Sequence, residues 1–149
     1  MKVSTKGRYG LRIMLDIALN GENGGCVSIK DIAAREQLSD KYLEQIISTL
    51  VKADLVSSVR GAKGGYKLKR EAALISVADI LKATEGSLAP MSCVENNDSC
   101  EKYCDCVFSF VWEEMYKAVM DTAGHITLSD IVERSRKLHT VNERKEEIL

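Results

Sequence analysis

The sequence predicts a mainly α-helical chain with one small β-hairpin, and three observations carry that reading. A Ser or Thr with Asp three residues later opens an apolar periodic run at Ser28-Ile29-Lys30-Asp31, Ser76-Val77-Ala78-Asp79 and Thr127-Leu128-Ser129-Asp130. A hydroxyl at such a place can accept an orphan backbone N–H, and the carboxylate favours the positive end of a helix. Proline occurs once, at Pro90, so little breaks the helical pattern. Glycines bunch at 21–25 and 61–65 and punctuate it.

The first helix is expected over Thr5–Asn20, with Leu11, Met14, Leu15, Ala18 and Leu19 on one face, ended by the glycine loop. A short helix over Ile29–Glu36 leads through a tight turn at Gln37-Leu38 to a third helix, capped by Ser39 and running from Lys41 to about Ala53. Its apolar stripe is Leu43, Ile46, Ile47, Leu50 and Val51; its polar face is Lys41, Glu44, Gln45, Ser48 and Lys52 at the same spacing. Val56–Arg60 reads as a strand, Gly61–Gly65 as a turn and Tyr66–Lys69 as the returning strand. Further helices are expected over Ser76–Thr84, Val107–Thr122 and Thr127–His139, with a charged tail that frays from Thr140.

Two short helices joined by a tight turn, then a glycine-tipped basic hairpin, make the layout of a winged helix-turn-helix. The charge agrees. Residues 1–70 carry 13 Lys and Arg against 7 Asp and Glu, whereas residues 71–149 carry 8 against 15. The basic half suits a polyanion and the acidic half repels one. On double-stranded DNA, Ser39, Lys41 and Gln45 can donate to base edges or phosphates, while Glu44 can accept from a cytosine amino group. Arg60 beside the hairpin tip can reach a minor groove, with Lys63, Lys67 and Lys69 against phosphates. The competing reading is a protein-binding adaptor whose polar helix face is merely solvated.

Other classes are disfavoured. No run of about 18 apolar residues exists to span a bilayer, and the start, Met1-Lys2-Val3-Ser4-Thr5-Lys6, lacks the apolar region of a signal peptide. A cytoplasmic protein without a membrane partner is expected. No phosphate loop, Ser/His/Asp order or paired carboxylates point to an enzyme. His125 is assigned a local hydrogen bond and His139 a solvated place near the tail.

Of five cysteines, Cys26 reads as a partly buried filler, but Cys93, Cys100, Cys104 and Cys106 fall within 14 residues in a polar stretch. In a reducing compartment such a cluster points to a metal or redox site. Thiolates suit iron–sulfur clusters and zinc; the spacing is not the paired pattern of a zinc ribbon, and a disulfide switch is a further reading. The helix after them carries Phe108, Val111, Trp112, Met115, Val119 and Thr122 on one stripe, widened by Val107 and Phe110. A helix this apolar needs cover on more than one side, which makes it the candidate dimerisation helix. The expected organisation is a winged domain over 1–86, a cysteine-rich cluster-binding loop over 87–106, the dimerisation and C-terminal helices over 107–139, and the tail over 140–149.

Three motifs occur in order: Ser4-Thr5-Lys6-Gly7-Arg8-Tyr9, Ser39-Asp40-Lys41-Tyr42-Leu43-Glu44-Gln45, and Ser58-Val59-Arg60-Gly61-Ala62-Lys63-Gly64-Gly65-Tyr66. With them residues 1–135 resemble the Rrf2 family of bacterial transcription regulators, closest to its iron–sulfur-cluster regulator (IscR) type. The resemblance implies a homodimer that places two winged domains on a roughly palindromic operator. It puts Tyr42, Glu44 and Gln45 at recognition-helix positions and Arg60 at the wing arginine; Ser39, Lys41, Lys63 and Tyr66 complete the candidate DNA-binding set.

The family's cluster-binding members carry three cysteines ahead of a tryptophan-bearing helix. Counted back from Trp112, Cys93, Cys100 and Cys106 take those places, with one extra residue in the first gap. The resemblance thus implies a [2Fe–2S] cluster, and iron–sulfur assembly proteins as further partners. The histidine three residues before the tryptophan is Ser109 here, which leaves the fourth ligand to Cys104 or to the second subunit. Arg8 stands where nitric-oxide-sensing members carry an acidic residue, and the family's cysteine-metabolism repressors lack the cysteine set. Zinc, or thiol chemistry without a metal, is the alternative.

Overall fold

The computed structural model describes residues 2–21, 24–96 and 99–146. Helix α1 spans Thr5–Asn20, α2 Ile29–Glu36 and α3 Asp40–Lys52. Ser28 and Ser39 cap α2 and α3 as the sequence predicts, accepting from Asp31 N and Tyr42 N. The turn between these helices works because Gln37 takes the left-handed conformation, at φ 54°, and closes α2.

Strands β1 (Val56–Val59) and β2 (Gly65–Leu68) pair antiparallel, with Val56 opposite Leu68 and Val59 opposite Gly65. Val27 adds a third edge: its N–H donates to Tyr66 O and Tyr66 N donates back, both at 2.8 Å. Gly65 is required here. Its φ is 153°, and a Cβ would collide with the Val27 carbonyl.

Helix α4 (Val77–Glu85) opens with a full capping box between Ser76 and Asp79. The short helix α5 (Ser92–Glu95) and a 3₁₀ turn at Tyr103–Asp105 lie in the cysteine segment; α6 spans Ser109–His125 and α7 Leu128–Glu146. Val77 N donates to Ile126 O and Leu128 N to Ile75 O, each at 2.8 Å, which ties the starts of α4 and α7 together. Thr127 caps α7 through Asp130 N at 3.2 Å. Fully buried side chains from α1, α2, α3 and α4 form one core with Leu55, Val56 and Leu128. Among the described residues no helix is long and apolar enough to cross a membrane.

Several elements depart from expectation. On α1 the fully buried residues are Ile13, Met14 and Ile17, while Leu11, Leu15, Ala18 and Leu19 are half-buried. The cause is cover on several sides, including α4 packed on the glycine face of Gly7 and Gly10. Helix α6 starts at Ser109, after Phe108 as its cap residue, so Val107 and Phe108 precede it. Helix α7 runs past His139 to Glu146, where the expected tail begins to fray at Thr140. The segment 143–146, Glu-Arg-Lys-Glu, consists of strong helix formers, and no Gly or Pro stops it. The rest of that tail, 147–149, lies outside the described residues.

Candidate nucleic-acid interface and cysteine segment

Helix α3 buries Leu43, Ile46, Ile47 and Leu50 and turns Lys41, Glu44, Gln45 and Ser48 to solvent. The amphipathic pattern therefore docks one face and leaves a row of polar side chains free to enter a groove. Ser39 is exposed at the helix start; its Oγ accepts from Tyr42 N at 3.3 Å. Tyr42 is half-buried, its ring edge-on to Tyr9 of α1 with centroids 6.1 Å apart and planes at 89°. The guanidinium carbons of Arg8 and Arg12 lie 5.2 and 5.5 Å from the Tyr9 centroid. Arg12 also pairs with Glu36 at 2.5 Å.

The wing holds Arg60 and Lys63 exposed at its tip. Arg60 and the half-buried Tyr66 share an open groove of about 430 Å³ with Ser28, Ile29 and Lys30 at the start of α2. Lys30 is a basic residue on this face that the sequence reading missed; its place in the first turn after the Ser28 cap was the available signal. Lys69 has a neighbour that local sequence does not reveal. It pairs with Asp54 at the base of the wing and, like Lys67, is exposed.

A second charged cluster fixes α1 to α2. Arg35 donates through Nε to Asp16 Oδ2 at 2.6 Å and through Nη2 to Oδ1 at 2.8 Å. The hydrogen bond to Asp16 raises the Arg35 pKa further and keeps it charged.

All five cysteines are free thiols. Cys93 on α5, Cys100 and Cys106 are half-buried, and Cys104 on the 3₁₀ turn is exposed. Among the described residues no three His, Cys, Asp or Glu side chains converge as a metal site. The donor chemistry suits a soft metal or an iron–sulfur cluster, but this conformation does not gather the donors. Ser109 serves the backbone, its Oγ donating to Cys106 O at 3.0 Å.

Two Tyr–Glu hydrogen bonds hold this segment on α6: Tyr103 Oη donates to Glu113, and Tyr116 Oη donates to Glu95 at 3.2 Å. The bond to Glu113 pushes the Tyr103 phenol up to about 12; for Tyr116, burial and then the Glu95 bond raise it. Neither tyrosine was singled out from sequence.

Cys26 is half-buried beside the Val27 bridge. His125 makes a local bond, Nδ1 lying 2.6 Å from Asp121 O, and His139 is exposed on α7 beside Arg12 and Glu36. Helix α6 buries only Ala123 of its own residues in the chain. Phe110 is 64% and Met115 46% exposed, and Phe108 before the helix is 61% exposed. An apolar groove between α4 and α6 is lined by Val77, Leu81, Val119, Thr122, Ala123 and Ile126.

A core-docked helix with a free polar face, next to a basic wing, defines a winged-helix DNA-binding regulator of transcription. The profile described as "Rrf2: Iron-dependent Transcriptional regulator" matches residues 3–134, and the chain belongs to this family. The family's members are regulators rather than enzymes, in agreement with the sequence reading.

The chain is 42% identical over 132 residues to Protein rrf2 of Nitratidesulfovibrio vulgaris, covering 89% of this chain and 87% of that protein. It is similar to the solved structure titled T. potens IscR, with 43% identity, a TM-score of 0.71, and 91% and 88% of the two chains covered. It is also similar to the structure of CymR (YrzC), the global cysteine regulator of B. subtilis. There the identity is 37% and the TM-score 0.71, with 90% and 98% covered.

Proposed function

We propose that this chain is a homodimeric, cytoplasmic regulator that reads operator DNA with α3 and the wing, and that the state of its 87–106 thiols sets the affinity. The observation that carries the DNA reading is the exposed row Lys41, Glu44, Gln45 on a helix whose other face is fully docked, flanked by Arg60 and Lys63. In this reading Ser39, Tyr42, Glu44 and Gln45 meet base edges and nearby phosphates, while Arg60 enters the adjacent minor groove. Lys41, Lys63 and Tyr66 contact the backbone. Pairing two copies through α6 would set two recognition helices about 34 Å apart, one turn of DNA. The bare apolar surface of α6 supports that pairing.

For the thiols we assign a [2Fe–2S] cluster, with Cys93, Cys100 and Cys106 as donors and Cys104 as the fourth. The support is the donor type, the iron-dependent description of the family and the similarity to IscR. Such a group would tie thiolates of one segment together, and the segment would have to close to hold it, because the donors do not converge in this conformation. That same dispersed arrangement, with Cys104 exposed, and the similarity to a cysteine regulator favour a second reading, thiol chemistry or zinc on the same fold.

The experiment is anaerobic purification followed by visible absorption and iron and sulfide assays. The same protein is then titrated onto a duplex selected from a random library, at several salt concentrations. Charge-transfer absorption with about two iron and two sulfide per chain supports the cluster. A colourless protein with free thiols or zinc moves the sensing chemistry to the second reading. An affinity that does not fall with salt would sink the DNA reading itself, because phosphate contacts release counterions.

A further inference from the structure

The first motif, Ser4 to Tyr9, is bonded at one end to Glu85 of α4 and packed at the other on Tyr42 of α3. We infer that Ser4, Glu85 and Tyr9 are positioning residues that link the cysteine segment to the recognition helix. This rests on the reading that thiol state sets operator affinity.

The joint begins at the end of α4. Ser4 N and Ser4 Oγ both donate to Glu85 Oε1, at 3.0 and 2.7 Å, while the same Oγ accepts from Gly7 N at 3.2 Å. The N-terminal cap of α1 is therefore completed by the last residue of α4. Gly86 follows in a positive-φ conformation, at 81°, and the cysteine segment departs from there. A displacement of that segment acts first on Glu85.

Two glycines make the joint stiff. A Cβ at Gly7 would collide with Glu85 Oε1, and one at Gly10 would lie 2.6 Å from Thr84 Cγ2. Thr84 is buried and its Oγ1 donates to Ile80 O at 3.0 Å, so it has little room to give. Helices α1 and α4 thus meet almost backbone to side chain, and packed contacts of this kind transmit displacement instead of absorbing it.

At the other end, Tyr9 lies five residues along α1 from the cap and carries the edge-on contact with Tyr42 in the first turn of α3. Arg8 and Arg12 flank the Tyr9 ring, and Arg12 is itself held by Glu36 at the end of α2. The connected path is Glu85, Ser4, the first turns of α1, Tyr9, Tyr42. Its switching element is the α1 cap, completed by Glu85 in one state and released in the other. Coupling between distant sites needs an element with two discrete arrangements.

The test compares operator affinity in two thiol states of the full chain carrying Cys26→Ser: fully reduced, and blocked with N-ethylmaleimide at the segment. The probe is a duplex selected on the wild-type protein. The Cys26→Ser chain without further change is expected to show a ratio of about tenfold between the states. Glu85→Ala and Tyr9→Leu should each bring that ratio to within about twofold, with circular dichroism unchanged. A ratio of one in the Cys26→Ser parent overturns the thiol-state reading and the link with it. A large ratio that Glu85→Ala leaves intact overturns the link alone. Should Glu85→Ala unfold, amide exchange in the Cys26→Ser parent decides. Gly7, Arg8 and Tyr9 should exchange faster after blocking, and equal rates in the two states overturn the link.

Discussion

Arg35→Met should destabilise the fold more than Asp16→Asn, although both remove the same ion pair. The Asp16 side chain is 5% exposed and the Arg35 side chain 41%. Losing one partner of a buried pair costs about 3–5 kcal/mol when the other charge stays buried. Arg35→Met strands the Asp16 carboxylate away from water without its two donors. Because solvent reaches the guanidinium and already screens the pair, we expect the lower end, about 3 kcal/mol. Asp16→Asn instead leaves a guanidinium that water can hydrate, and the amide oxygen still accepts one N–H, so about 1–2 kcal/mol is expected. Urea unfolding with an unchanged m-value would measure both losses. Equal losses, or a larger one for Asp16→Asn, would refute the view that the stranded carboxylate sets the cost.

At the wing, Arg60→Ala is expected to weaken operator binding by about 1–3 kcal/mol in a fluorescence titration; unchanged affinity and footprint would remove the wing from the readout. On α6, Met115→Lys should shift sedimentation toward the monomer while the circular dichroism holds, because that helix gives only Ala123 to the chain's own buried set. An intact dimer would move the interface elsewhere. At α7, the backbone N–H and hydroxyl of Thr127 lower the Asp130 carboxyl below its ordinary 3.8. A folded-state value below the unfolded one stabilises the cap above the ordinary carboxylate range and is lost as pH falls through the lowered value. Asp130→Asn should therefore flatten part of the acid limb of the stability profile, and an unchanged limb would refute the assignment.

Helix starts were legible because their chemistry is local. Ser28, Ser39, Ser76 and Thr127 each accept a backbone N–H three residues on, and three of them have the Asp that completes the signal. What was not legible depends on groups far apart in the chain. Gly7 and Gly10 carry no local signal of a partner, but they are where α4 packs, which moves the buried side of α1 toward Ile13 and Ile17. The Lys69–Asp54 pair joins residues fifteen apart, which no local pattern announces. The cysteines are neighbours in sequence and still do not converge, because Glu95 and Tyr103 hold different parts of their segment on α6.

Those attachments bear on which sensing chemistry the segment can support. Both Tyr–Glu bonds are exposed, so water competes for their partners and they hold the segment only weakly. Couplings between distant sites are typically about 1–3 kcal/mol. Thiolate–metal bonding can far exceed it, at about 10–16 kcal/mol for structural zinc in small domains. A ligand on these thiols would therefore override the attachments and displace the segment from α6. A change confined to the exposed Cys104 would leave the Tyr116–Glu95 bond in place. Thiol reactivity measured with Tyr116→Phe tests the Glu95 attachment. Faster labelling of Cys93 but not Cys104 shows that the Glu95 bond restrains α5, and equal rates show that this bond does not restrain it.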